Sequence, residues 1–466
     1  MTTGDGSPVI LQGKGRHISN GDSSRTASFY TLGCKLNQSE TNAIQQEFVQ
    51  RNYDIVPFGE PANISVINTC TVTNQADSKS RSVIRKAVKA SPDGRVVVTG
   101  CYAQIQPEEI QAIEGVNLIL GTAEKHHLFD YLDRAENGLE PLVFVNESGE
   151  IDSYDESFFI SSSTRTRAFL KIQEGCNYYC SYCIIPFARG KARSRSYDSA
   201  IEEAKRLVDK GYREIVLTGI NVGTYRHENG QITLLHDLLS GLSDINGLDR
   251  IRISSIEPNT ITDELLLLVK ERKNICPHLH VPLQSGSNTI LAAMQRKYKY
   301  EEYLKVIDRI RIILPDTALG TDVIVGHPGE TDELFRETAE CVMELPFTYL
   351  HIFRYSPREG TVAARMTEQV PEPVKKERSA VLREIGIKKK KKYAQRFEGQ
   401  TLPVLIESQR EDGTYSGLTP NYLRVSITQK GTIIPLINTI EKVFINKVNG
   451  SNLEGKLVNC NSNIYS

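Results

Sequence analysis

No stretch of this sequence approaches the roughly 18 consecutive apolar residues that a membrane-spanning helix needs, and hydrophobic residues make up only 39% of its 466 positions. A helical membrane protein is excluded on that ground, and a soluble chain with no membrane partner is expected. An excess of one charge is also lacking. Lys and Arg number 56 against 57 Asp and Glu, so the global balance points to no nucleic-acid partner and any basic footprint must be local. Residues 1 to about 25 are rich in Gly, Ser and Asp and lack the apolar core of a secretory signal; a disordered extension is expected there. Cysteine is scarce. Nine residues, an odd number, in a chain with no export signal favour a reducing, cytoplasmic setting over a disulfide framework.

What the chain does contain is alternation. Residues 26–140 place short apolar strands, "ASFYTLGC", "ISVINTC", "RVVVTGC" and "NLILG", before amphipathic segments, the pattern of a parallel sheet covered by helices. Three of these strands lead into a cysteine. Cys34, Cys70 and Cys101 should therefore gather just past the carboxyl ends of neighbouring strands, where open α/β sheets place their ligands. A polar stretch over 141–165 reads as a linker. From 166 to 372 the alternation resumes with six candidate strands, "AFLKIQ", "REIVLTG", "RIRISS", "HLHVPLQ", "TALGTDVIVG" and "TYLHIFRY", and six βα units predict an incomplete (β/α)6 barrel. Thr218, Asn221, Ser255, Glu257, Gln284, Asp322 and Tyr355 stand at or beyond its strand ends, where barrel enzymes keep their chemistry or where such residues merely cap the elements. A basic helical linker over 373–396 precedes short β-type runs over 397–460, "TLPVLIES", "DGTYSGLTPNYLRVSIT", "GTIIPLIN" and "EKVFINKV", which predict a small antiparallel β-barrel. The fold class is thus α/β multidomain.

The densest signal is "EGCNYYCSYCIIP", which holds Cys176, Cys180 and Cys183 in a Cys-x3-Cys-x2-Cys spacing. At this cysteine content such a spacing arises by chance about 0.003 times per chain. A structural zinc site is the first alternative, but it usually takes four protein ligands, and no matching fourth is evident. Three thiolates this close can hold three irons of a cubane cluster and leave the fourth iron open. Cys34, Cys70 and Cys101 are less specific by spacing, since isolated thiols behind strands are often buried small hydrophobes; their shared place at three strand ends allows a second cluster with one open iron. Cys276, Cys341 and Cys460 follow no pattern and read as structural.

With Tyr182 before the last cysteine, this loop resembles the hallmark of radical S-adenosylmethionine enzymes. Taken with "YTLGCKLNQSET", "VINTCTVT", "VVVTGCYAQ", "PLQSGS", "DVIVGHPGET" and "SPREGT", it is similar to the methylthiotransferase family from about Phe29 to the C-terminus. That resemblance implies two 4Fe-4S clusters, S-adenosylmethionine as cofactor, and a terminal RNA-binding barrel of the TRAM type. It assigns Cys176, Cys180 and Cys183 to the radical cluster and Cys34, Cys70 and Cys101 to the auxiliary one. It further implies that one S-adenosylmethionine methylates sulfur on the auxiliary cluster while a second yields the radical that removes hydrogen from carbon 2 of an adenine.

The family modifies isopentenyladenosine in tRNA, threonylcarbamoyladenosine in tRNA, or a ribosomal-protein aspartate. "TLGCKLNQ", "KIQEGCN" and "SPREGT" are most similar to the threonylcarbamoyladenosine branch; Asn221 in "LTGINVG" looks as much like the isopentenyl branch, and His327 stands where Phe is more usual. The Gly-Gly-Glu of many radical enzymes is missing, which leaves Thr218, Gly219 and Asn221 as candidates for the methionine amino group. Tyr182, Ser255, Glu257, Gln284 and Asp322 complete the candidate cofactor site. The expected partners are a tRNA anticodon stem-loop, whose exposed base enters a pocket without melting a duplex, and electron and sulfur donors of unknown identity. Lys375 to Arg396 carries ten basic residues against two acidic ones, a local footprint for RNA phosphate or a solvated face. Arg189, Lys191, Arg193 and Arg195 could meet phosphate or cofactor, or pair with carboxylates. An iron-sulfur regulator that binds RNA is the non-enzymatic alternative.

Overall fold

Residues 25–132, 134, 142–147, 149, 151, 154–156, 166–428 and 436–458 are described in the computed structural model. The extension before Arg25, most of the stretch read as a linker, and Cys460 lie outside them.

The first alternating region forms a six-stranded parallel sheet in the order Asp54–Ile55, Thr26–Thr31, Ile64–Thr69, Arg95–Gly100, Leu118–Leu120, Leu142–Phe144. Its two central strands are buried almost throughout, as a parallel sheet covered on both faces requires. Ile44, Phe48, Val66 and Val97 pack on one face, and Ile67, Ile84, Val96 and Val98 on the other. The edge strand Leu142–Phe144 belongs to a segment that sequence reading placed in the linker. Helix Asn74–Ala90 starts where the Thr73 hydroxyl accepts from the Ala76 amide at 3.1 Å.

All six expected barrel strands are present: Arg167–Lys171, Glu214–Thr218, Arg250–Ile253, His278–His280, Ala318–Val325 and Tyr349–Arg354. They form two parallel three-stranded sheets joined through single bridges at Ile251↔Ile275 and Ser255↔His280. Alternate residues such as Ile215, Leu217, Ile251, Ile253, Val323 and Val325 pack outward into the main core. By the two-residue period the opposite face, with Glu214, Arg252, His278, His280, Asp322 and Tyr349, turns into the barrel lumen. The lumen is therefore polar.

Helix Glu372–Gln395 lies along the last barrel strands and leads into a closed five-stranded barrel, Thr401–Gln409, Tyr415–Leu418, Arg424–Ile427, Asn452–Leu457 and Ile440–Asn449. Four of its seams are antiparallel, and Arg424–Ile427 runs parallel to Asn452–Leu457. Of "GTIIPLIN", residues 431–435 fall outside the described set and the rest form a turn; "NLEGKL" supplies the strand instead. The small barrel closes the foot of the large one. Arg250 donates to the carbonyls of Leu418 (2.8 Å) and Pro403 (3.0 Å), and Arg252 to that of Pro420 (2.7 Å).

Candidate active site

The loop carrying Cys176, Cys180 and Cys183 is held from several sides. Gly175 has φ +70°, and a Cβ there would run into the Lys191 carbonyl; only glycine lets the two chain segments meet so closely. The Cys176 amide donates to Gly190 O at 3.0 Å, and the Cys183 amide to Cys180 O at 2.9 Å. Ser181 is pinned through its amide to Met294 O (2.9 Å), through its hydroxyl to Ala293 O (2.7 Å), and beside His327 Nε2 (3.2 Å). His327, the departure from the family pattern, is thus a support of this loop, and burial holds its imidazole down at about 4. Arg296 brings Nη1 to 3.3 Å from Cys180 Sγ while its other nitrogen pairs with Glu257.

The second set meets at one sheet edge. Cys34 caps helix Lys35–Gln50, Cys70 follows Ile64–Thr69, and Cys101 opens the short helix after Arg95–Gly100. Gly33 (φ +107°) makes room for it: a side chain there would lie 3.2 Å from Cys70 Sγ. Burial, then the charge of its neighbour Cys101, pushes the Cys70 thiol up to about 12. Burial likewise raises Cys176 to about 11 and Cys183 to about 12. Thiols in such surroundings give up their protons to a bound metal, whose charge offsets the desolvation.

Between the two sets runs a buried ionic network that sequence reading missed. Arg189, fully buried, donates to Glu40 Oε1 (2.8 Å) and Oε2 (3.1 Å), Glu174 Oε1 (2.7 Å) and Asn37 Oδ1 (2.8 Å). Lys125 reaches Glu40 at 2.8 Å, and Lys171 reaches Glu174 at 2.5 Å. Although burial alone would raise these carboxyls, Arg189, Lys125 and Lys171 hold Glu40 well below the usual carboxylate range, and Lys171 and Arg189 do the same for Glu174. Asn37 also lies 3.5 Å from Cys34 Sγ. One guanidinium therefore joins the Cys176–Cys183 loop to the helix that begins at the other trio.

The remaining candidates divide into layers. Gln173, also unforeseen, accepts from the amides of Ile220 and Asn221 (2.9 and 3.0 Å) and donates to Gly175 O (2.8 Å), so it ties the 218–221 loop to the cysteine loop. Gly219 packs on this same side chain. The Thr218 hydroxyl donates to Leu170 O at 3.2 Å. Tyr182 is packed in an apolar group with Ile290, Met294 and Tyr355. Gln284 takes φ +62° with its Oε1 buried and unbonded among the described residues. Asp322 lies deeper, between His280 (2.9 Å) and His351 (3.2 Å), while Ser255 pairs its backbone with His280. Of the basic run after the cysteine loop, Arg189 and Arg193 pair with Glu174 and Arg195 donates to Ser199 (2.9 Å); Lys191 is exposed.

Among the described residues neither trio brings all three sulfurs within 4.8 Å of one another, whereas zinc–sulfur bonds of about 2.3 Å in a tetrahedron hold sulfurs about 3.8 Å apart. Thiols are the donors that iron-sulfur clusters take, so each set fits such a cluster in donor type.

Barrel and cysteine-loop spacing define a radical S-adenosylmethionine enzyme, whose cofactors are S-adenosylmethionine and a 4Fe-4S cluster. Residues 170–342 match the Radical SAM superfamily and residues 26–121 the Uncharacterized protein family UPF0004. A solved radical S-adenosylmethionine methyltransferase, TsrM from Kitasatospora setae, superposes with TM-score 0.53 over 71% of this chain and 73% of that one at 16% identity, a likeness of fold. Among curated proteins, the threonylcarbamoyladenosine tRNA methylthiotransferase MtaB of Bacillus subtilis is 44% identical across 93% of this chain and 96% of its own length. The tRNA-2-methylthio-N(6)-dimethylallyladenosine synthase of Acetivibrio thermocellus is 33% identical across 92% and 90%. The chain belongs to the methylthiotransferase family of radical S-adenosylmethionine enzymes and sits with its threonylcarbamoyladenosine branch.

Proposed function

We propose that this chain is a tRNA methylthiotransferase that places a methylthio group on carbon 2 of threonylcarbamoyladenosine beside the anticodon. The observation that carries the reading is the pair of three-thiol sets tied together by Arg189, in a chain 44% identical to the Bacillus subtilis enzyme over nearly its whole length. In this reading Cys176, Cys180 and Cys183 hold the radical cluster, and Cys34, Cys70 and Cys101 hold a second 4Fe-4S cluster. When bound, the two clusters supply reductive cleavage of S-adenosylmethionine and a place for sulfur. The chain's own residues orient and enclose. Gln173 fixes the 218–221 loop, with Thr218, Gly219 and Asn221, against the cysteine loop; Glu257 and Arg296 hold a buried charge pair at Cys180; Tyr182, Ser255, Gln284 and Asp322 line the way into the lumen.

The domain reading assigns 26–140 to the auxiliary-cluster domain, 166–372 to the radical domain and 397–460 to an RNA-binding TRAM barrel reached through the basic helix. Lys375 and Arg378 of that helix are buried in the fold, and Lys389 donates to the carbonyls of Met343 and Leu345. Lys376, Arg383, Lys391 and Lys392 remain exposed for phosphate. No helix among the described residues is long and apolar enough to cross a membrane. External electron and sulfur donors complete the scheme.

Nucleoside mass spectrometry of tRNA from cells with and without this protein tests the reading. Loss of 2-methylthio-threonylcarbamoyladenosine with accumulation of its unthiolated form is expected. An unchanged 2-methylthio content would turn the assignment to the ribosomal-protein branch. Absence of 5′-deoxyadenosine on anaerobic incubation with S-adenosylmethionine and a reductant would favour the regulator.

A further inference from the structure

At the foot of the barrel lumen, on the side of the auxiliary trio, positive charge collects without an equal number of carboxylates. Arg250 (3.6 Å) and Arg252 (2.7 Å) share Glu214, while Arg167 (2.6 Å) and Arg424 (3.4 Å) share Glu407. To these four guanidiniums Lys35 adds an ammonium. It follows Cys34 directly, is exposed, and makes no salt bridge among the described residues. Its Nζ lies 6.0 Å from the ring of Tyr422. Asp322, a further carboxylate of the lumen, is held between His280 and His351.

Tyr422 is placed there under strain. It takes φ +66°, a left-handed backbone that bulky residues rarely adopt, inside a turn closed by the Tyr422 and Leu423 amides on Thr419 O and Oγ1 (3.1 and 2.8 Å). The turn carries the phenol ring to 4.6 Å from His278, 5.8 Å from Tyr349 and 5.2 Å from the Arg252 guanidinium. Strain of this kind persists where the surroundings impose it, and it clusters at ligand sites. Two groups register the field. Lys35 leads the causes that lower the Tyr422 phenol, and burial, then Arg252, holds His278 neutral.

From this juxtaposition we propose that Lys35, with Tyr422, forms the subsite that recognises the carboxylate of the threonylcarbamoyl arm. The inference rests on the function proposed above and adds the residue that reads the substrate. A threonylcarbamoyl group ends in a carboxylate and a dimethylallyl group in hydrocarbon, so an unpaired ammonium is attractive to the first and costly to desolvate for the second. Because Lys35 adjoins Cys34, a carboxylate held there anchors the modified base beside the auxiliary trio.

The test uses the full chain, purified anaerobically with its clusters. Its affinity is measured at one salt concentration for three anticodon stem-loops, bearing threonylcarbamoyladenosine, the same arm with a carboxamide in place of the carboxylate, and plain adenosine. The wild-type protein is expected to prefer the carboxylate over the carboxamide by about tenfold, the size of one charge-assisted contact. Lys35→Met is expected to remove that preference and Lys35→Arg to restore most of it, with binding of the plain stem-loop within about twofold throughout. Equal wild-type affinity for carboxylate and carboxamide overturns the proposal without any variant. An equal loss on all three RNAs in Lys35→Met also overturns it and makes Lys35 a phosphate contact. Methylthiolation by a wild type that ignores the carboxylate would sink this inference alone; a wild type that binds none of the RNAs would sink the functional reading with it.

Discussion

The two cysteine sets are assembled from opposite starting points. Cys176, Cys180 and Cys183 lie within eight residues, and their loop is fixed by backbone bonds to its own neighbours and to the 293–294 turn. Cys34, Cys70 and Cys101 are separated by dozens of residues and meet because three parallel strands end side by side. A local motif survives wherever its loop is presented, whereas a gathered one depends on the whole sheet. Arg189 joins the two, since it belongs to the local loop and pairs with the helix of the gathered set.

The sharpest way to break the comparison is to remove one ligand from each set. Cys180→Ala is expected to abolish 5′-deoxyadenosine formation, measured by anaerobic turnover with a reductant. Cys70→Ala should leave that cleavage measurable while stopping methylthio transfer, with iron content falling by about half on loss of one of two cubanes. If Cys70→Ala kept full methylthiolation, the gathered set would have no part in sulfur insertion.

Arg189→Met tests the joint. It leaves Glu40 and Glu174 facing each other without their shared cation, and breaking such a buried pair costs about 3–5 kcal/mol, read by denaturant unfolding. The same carboxylates predict a pH dependence. Their protons are held less tightly in the folded chain than in the unfolded one, so their stabilisation is complete above the unfolded carboxyl range near about pH 4.5 and is lost as the pH falls through the folded values. Thermal unfolding followed from about pH 5 down to about pH 2, below the unfolded carboxyl range, should show a steeper acid loss in the wild type than in Arg189→Met.

The smallest effect concerns the basic helix. Lys391→Gln with Lys392→Gln should weaken binding of any stem-loop and lower the slope of log affinity against log salt by about 1 to 2, without touching cofactor cleavage. Lys375→Gln, buried against Tyr355 O at 3.1 Å, should lower stability instead.

Much of this was legible in the sequence because local chemistry recorded it. The spacing of Cys176, Cys180 and Cys183 marked one compact loop, and the strand-then-cysteine pattern placed Cys34, Cys70 and Cys101 just past three neighbouring strands, where the structure has them. The six barrel strands were visible in their apolar runs. The fates of the basic residues were not. Arg189 and Lys191 look alike in "ARGKARSR", yet one is fully buried and the other exposed; Arg189 finds Glu40 across 149 residues of sequence, a distance over which no local pattern carries information.

Residue types and short-range order by themselves determined the class of chemistry, since thiol spacing decides how many irons a loop can hold and strand periodicity decides which faces are buried. Only the tertiary structure decided how the two sets are joined, which lysines of the basic helix stay exposed, and that Lys35 and Tyr422 meet at the foot of the lumen. Those outcomes depend on charges brought together from distant segments, whose cost of burial is set by the partners the fold supplies.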